Sequence, residues 1–183
     1  MNQAVNIANA TMMKLMTNNA MSIMQMLGFD VALNENKFKT SFNSTMFTKP
    51  NVTAFEILVH FLLSTLDPDR AQKTFSQCWP HVLKEQQKEF KEAILAWLLE
   101  LSPSSSSTTT KLQQQVNKTV VNPAHQALLQ HIKIPTVTKS LLLTPTGLKV
   151  CELLFDLSQY VLLARLLKLS RLYFRLKLAQ LVR

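Results

Sequence analysis

NVTAFEILVHFLLSTLDPDRAQKTFSQCWPHVLKEQQKEFKEAILAWLLEL, residues 51–101, decides the fold class. Phe55, Leu58, Val59, Leu62 and Leu66 recur at helical spacing on one face, and Ile57, Phe61 and Leu63 widen it. A helix apolar around most of its girth belongs at the centre of a domain. Thr53 and Glu56 fit the S/T-x-x-E capping box, with Val52 and Ile57 at the staple positions, which predicts the helix start. Asp67-Pro68 stops this helix and opens a short one through Phe75, with Asp67 as N-cap and proline at the first helical position. Cys78-Trp79-Pro80 turns the chain. Residues 84–101 then read as a surface helix, with Phe90, Ile94, Trp97, Leu98 and Leu101 inward. Lys84, Glu85, Lys88, Glu89, Lys91 and Glu92 cover its other side, read as a solvated face. Phe55, Leu58, Leu62, Trp97 and Leu98 are expected to be buried together.

Outward from this centre the pattern stays helical. Residues 10–27 carry the stripe Met12, Leu15, Met16, Ile23, Met24 and Leu27, and Gly28 is a natural stop. Residues 30–49, with Asn34, Asn36, Asn43 and Ser44, read as a loop anchored by Phe38, Phe42, Met46 and Phe47. On the other side, SPSSSSTTTKLQQQ opens a polar low-complexity spacer over about residues 102–122. Pro123 is expected to start a short helix through residue 132, and Pro135 interrupts the chain. Thr144-Pro145 is a second cap-plus-proline signal, followed by a long helix reaching towards the C-terminus. Within it Leu162, Leu166, Leu169, Tyr173 and Leu176 alternate steps of four and three, about two heptads of a coiled-coil start. No strand signal competes, so the predicted class is all-α.

Composition narrows the function. The 183 residues include 47% apolar residues, enough for a core, and the formal charge is +9. Gly28 and Gly147 are the only glycines, which excludes the glycine-rich nucleotide-binding loops. Cys78 and Cys151 are too few for a disulfide scaffold or a four-cysteine zinc site and are expected to be buried free thiols. His60, His81, His125 and His131 show no zinc-ligand spacing, and His60 reads as a core histidine. Asp67 and Asp69 need no catalytic reading once Asp67 caps a helix. Trp79 and Trp97 read as core anchors. No catalytic constellation and no cofactor site emerges, so the expectation is a non-enzyme. The N-terminus lacks an export-signal pattern, and no stretch of about 20 apolar residues could span a membrane.

The charge is concentrated at the end. After Leu157 the chain carries Arg165, Lys168, Arg171, Arg175, Lys177 and Arg183 and no acid. Arg165, Lys168, Arg171, Arg175 and Lys177 are the candidate contact for an acidic partner. The basic polar face of a coiled coil and an amphipathic membrane-surface helix are the other readings of this arm.

Residues 46–101 also carry a family pattern: F-x-K-P-N-x-x-A-F-E (Phe47 to Glu56), H-F-L (His60 to Leu62), L-D-x-x-R (Leu66 to Arg70), C-W-P (Cys78 to Pro80) and E-F-K (Glu89 to Lys91). Leu27-Gly28-Phe29 lies upstream, and S-L-x-L-x-P-x-G-x-K (Ser140 to Lys149) with Tyr160-Val161 downstream. In this order the motifs resemble the N-terminal domain of subunit 6 of the augmin (HAUS) complex. The resemblance implies a calponin-homology-like helical domain over residues 20–162, with a helical lead-in at 1–19 and a basic helical extension at 163–183. It implies pairing with augmin subunit 7, microtubule attachment, and recruitment of the γ-tubulin ring complex, indirectly or through regions beyond this chain. Branching microtubule nucleation, spindle assembly and cell division would follow, with localisation to cytoplasm, mitotic spindle and centrosome. Family proteins are much longer, so this chain is expected to be a fragment, a short isoform or an incomplete gene product. The residue-level alternative is a basic helical nucleic-acid-binding domain, resting on the charge alone.

Overall fold

The structure, a computed structural model, describes residues 2–102, 134–135 and 137–181, with side chains for all but 2–4, 174–176, 178–179 and 181. Every regular element among them is an α-helix: α1 (Asn2–Met26), α2 (Val31–Phe38), α3 (Val52–Leu66), α4 (Pro68–Phe75), α5 (Lys84–Leu101), α6 (Lys139–Leu143) and α7 (Leu148–Leu181). The low-complexity spacer beyond Ser102 and the short helix expected at 123–132 lie outside the described residues.

α3 is the centre, as its pattern predicts. Residues 54–59, Leu62 and Leu63 are all buried. α7 covers one side of it and α4 another; α4 leads to α5, and α5 to α6. α1 lies along α7. Thr17 Oγ1 donates to Cys151 Sγ at 3.3 Å, and Arg165 Nη1 donates to the Leu27 carbonyl at 3.2 Å. Both contacts advance along the two helices together, so α1 and α7 run in the same direction. Both cysteines are buried and free.

The start of α3 differs from its sequence reading. Asn51, not Thr53, is the N-cap: its Oδ1 accepts from the Ala54 amide at 3.1 Å. The frame shifts by two residues, so Val52 and Ile57 leave the staple positions and Glu56 turns inward. The amide form of the cap satisfies the same orphan donor a threonine would. Asn51→Ala should therefore lower stability by about 1 kcal/mol, while the exposed Thr53→Ala stays within about 0.5 kcal/mol. Urea denaturation of both variants checks this, and the reverse ranking would restore Thr53 as the cap.

α1 starts at Asn2 rather than near residue 10 and crosses residue 20 without a break. Its buried stripe is Thr17, Ala20, Met21, Met24 and Leu27, with Met13, Met16 and Ile23 packed alongside. Met12 and Leu15, expected inward, are exposed. Gly28 ends the helix as predicted, at φ +100°. Its amide reaches the Gln25 carbonyl, and Phe29 reaches back to Met24 at 2.8 Å, the paired closure of a Schellman end.

Residues 30–49 are not all loop. Asp30 caps α2 by accepting from the Leu33 amide at 2.9 Å, and this outweighs the asparagines inside the helix. The apolar anchors are where the sequence puts them: Phe42, Met46 and Phe47 are buried, and Phe38 packs on the core. Asp67 caps α4 as predicted, accepting from the Arg70 amide at 3.0 Å.

Thr144-Pro145 does not open α7. Thr144 closes α6, and α7 starts after Gly147, at φ +77°. The intervening residues are used for stitching. The Phe47 carbonyl accepts from the Gly147 amide at 2.8 Å and from Thr146 Oγ1 at 3.0 Å, and the Asn51 amide donates to the Pro145 carbonyl at 3.1 Å. This fixes the entry of α7 against the entry of α3.

Candidate protein-interaction site

The distal half of α7 carries the sequence-predicted contact residues. Val150, Cys151, Leu153, Leu154, Leu157 and Val161 are buried, so the helix is anchored up to that point. From the Arg165–Leu27 contact to Leu181 it continues for about 24 Å at 1.5 Å per residue. The heptad positions change character along it. Leu162 packs on the core; Leu166 is 53% exposed, Leu169 55% and Tyr173 56%. Leu172 is equally bare. The side chain of Leu176 lies outside the described residues.

The five candidate cations are not equivalent. Arg165 is tied to the end of α1, where its guanidinium satisfies one of the carbonyls that a helix end leaves open. Lys168 and Lys177 are exposed, and the Lys177 ammonium lies 5.4 Å from the Tyr173 ring centre. Arg171 is half-buried, and the side chain of Arg175 lies outside the described residues. In sequence, Arg165, Lys168, Arg171 and Arg175 step by three, three and four, which is one stripe of an α-helix. Like charges at these steps repel by about 0.2–0.5 kcal/mol per pair, and an acidic neighbour would relieve that cost. The opposite end of the molecule has a second bare stretch: Val5, Ile7, Met12 and Leu15 on α1.

Inside the domain, sequence reasoning missed a polar cluster around Glu56. This carboxylate is 2% exposed in the middle of an apolar helix. It accepts from Gln87 Nε2 at 3.1 Å, and Lys91 Nζ and His81 Nε2 lie at 3.5 and 3.4 Å. Burial raises its pKa, and the Lys91 charge opposes that rise. Lys91 thus leaves the solvated face assigned to it. The signal was present: Gln87 and Lys91 are one turn apart on α5, and Glu56 is the only charge between Thr53 and Leu66. His60 is the core histidine the sequence predicts. Its ring stacks on Trp79 at 4.8 Å beside Phe75 and Phe90, and burial, then Lys37, lowers its pKa to about 4.

Among the described residues no group of His, Cys, Asp and Glu gathers as metal ligands would, and no helix is long and apolar enough to cross a membrane. Exposed apolar side chains gather in two places among the described residues, on the distal half of α7 and on the first half of α1.

Residues 20–124 match the family described as HAUS augmin-like complex subunit 6 N-terminus. The chain belongs to the HAUS augmin-like complex subunit 6 family. A zebrafish (Danio rerio) HAUS augmin-like complex subunit 6 is 32% identical over 96 residues, 52% of this chain. The human (Homo sapiens) protein of the same name is 25% identical over 143 residues, 75% of this chain. The chain spans 12% of the length of each of these relatives. The family match covers α2–α5 entire and begins at Ala20, inside α1. The Asn51 cap, the Glu56 cluster and the His60 stack therefore all lie in the part this subunit 6 family member shares with its relatives.

Proposed function

We propose that this chain is a scaffolding, non-catalytic part of an augmin complex that works by helix-to-helix contact. The observation that supports this reading best is the α7 seam: Leu166, Leu169 and Tyr173 are each more than half exposed on a helix anchored in the core of a subunit 6 family domain. A soluble protein rarely leaves a contiguous apolar patch without a partner. The seam fits another augmin subunit, with the related domain of subunit 7 as the expected one and a calponin-homology-like pairing as the expected form. Lys168 and Lys177 beside the seam, with Arg171 and Arg175 on the same helix, supply the charge for an acidic neighbour, and the surface of the microtubule is one. In the whole assembly this attachment would serve γ-tubulin ring complex recruitment, branching nucleation and spindle assembly, at the spindle and centrosome.

The test is size-exclusion chromatography of the 183-residue chain with the N-terminal domain of augmin subunit 7, followed by microtubule co-sedimentation of the mixture. A joint peak is expected, lost with Leu169→Asp. Co-sedimentation should fall as salt rises, because the Debye length shrinks to about 8 Å near physiological ionic strength. It should also fall with Lys168→Glu combined with Lys177→Glu. Arg165 is left unchanged because its loss would open the end of α1. Separate elution, or tight binding to duplex DNA with none to microtubules, would sink the proposal.

A further inference from the structure

We propose that the groove between α5 and α6 docks an acidic segment of a partner protein, one that presents a bulky aliphatic side chain. The groove holds about 240 Å³. That is below the ~300–1,000 Å³ typical of small-molecule sites and suits one or two side chains of a peptide. Its inner surface is apolar: Leu95 of α5 and Leu142 and Leu143 of α6. Leu142 is buried, whereas Leu143 is 54% exposed.

The rim is basic. Lys84, Lys88 and Lys91 fall at steps of four and three on α5, and Lys139 faces them from the first residue of α6. Lys91 is already paired with Glu56, which also holds Gln87 inward, so this wall is fixed before any partner arrives. Lys84, Lys88 and Lys139 make no ion pair among the described residues, and Glu92 is the one acid that reaches the groove. Cations gathered around an apolar slot, on a pre-organised wall, match an acidic segment with an aliphatic anchor.

The chain does not supply such a segment itself. Residues 103–133 contain Lys111, Lys118 and Lys133 and no Asp or Glu, and no two acidic residues are adjacent anywhere in the sequence. A second copy, at +9, would bring repulsion rather than complement. A different, acidic protein is the occupant that the charge favours. The site is separate from the α7 seam and does not depend on the augmin reading.

The experiment is fluorescence anisotropy of the 183-residue chain with a labelled Glu-rich peptide carrying Leu at every fourth position. Saturable binding is expected, weakened at least about tenfold by Lys84→Glu combined with Lys88→Glu and by Leu143→Asp, with unchanged thermal melting. Lys139→Glu is a further variant; it puts an acid at the start of α6 and should also weaken binding. Lys168→Glu combined with Lys177→Glu should leave the affinity unaltered. Absence of saturable binding, equal binding of an all-Glu peptide of the same length, or loss of binding only in the α7 variant would each overturn the proposal.

Discussion

Replacing Trp97 with Ala is expected to unfold the domain, or to bring it to the edge of unfolding, at physiological temperature. The indole is 2% exposed and stacks on Phe75 of α4 at 5.9 Å. On its outer side the Arg70 guanidinium sits 4.2 Å from the ring centre and also pairs with Glu100 at 2.9 Å. Truncation to Ala opens a cavity where α4 meets α5 and removes the surface Arg70 rests on. Large-to-small changes of this kind cost about 3–5 kcal/mol, against about 5–15 kcal/mol for a whole domain. The urea midpoint should drop sharply, while Trp97→Phe should recover part of the loss because a ring still faces Phe75. A midpoint equal to that of the unaltered chain would refute this packing.

Mild acid should destabilise the domain through His60. Its folded pKa is about 4, against 6.5 for an unperturbed imidazole. Between those values the unfolded chain takes up a proton that the folded chain refuses. Stability is therefore fully present above pH 6.5, falls as the pH drops through the window, and levels off below about 4. Allowing for partial exposure, the loss is on the order of 2–3 kcal/mol. Burial, then Lys91, lowers the pKa of His81 too, which adds to the loss. Glu56, with its pKa raised by burial, works the other way: its folded form gains a proton before its unfolded form does. His60→Phe keeps a ring on Trp79 and Phe90 but has no proton to refuse. Its urea midpoint should change much less between pH 7 and pH 4.5 than that of the parent chain. An equal acid-induced drop in both would assign the effect elsewhere.

Much of this fold was legible because long apolar periods outvote local detail. α3 and α5 are found from spacing alone, and α4 from the capping chemistry of the Asp67-Pro68 junction. The buried set Phe55, Leu58, Leu62, Trp97 and Leu98 belongs to one core. What failed was local and competitive. Thr53 and Thr144 read as the caps of α3 and α7, but the chain is stitched from Phe47 and Asn51 to residues 145–147, so Asn51 caps α3 and α7 starts only after Gly147. α2 was lost because eight residues with two asparagines give little periodic signal, while the cap that holds them lies outside the helix. Of the candidate site, the cations of α7 and their seam are readable from the sequence. The tie of Arg165 to Leu27 is not, because it joins residues 138 apart. The same holds for Glu56, whose partners on α5 are set by tertiary packing. The groove was hidden further still, since Lys139 and Lys84 meet only once α5 and α6 are side by side.

The parallel packing of α1 on α7 makes α1 wait for a partner that is synthesised much later. Thr17 waits for Cys151, Leu27 for Arg165, and Phe47 for Thr146, separations of 134, 138 and 99 residues. A ribosome adding about 5–20 residues per second leaves α1 without its partner for on the order of ten seconds or more. Until then its methionine-rich face and one side of α3 stay open to water and to other nascent chains. Such long-range closure makes for slow folding. The domain can therefore close only once α7 has been made, and α1 waits longer for its partner than any other helix described.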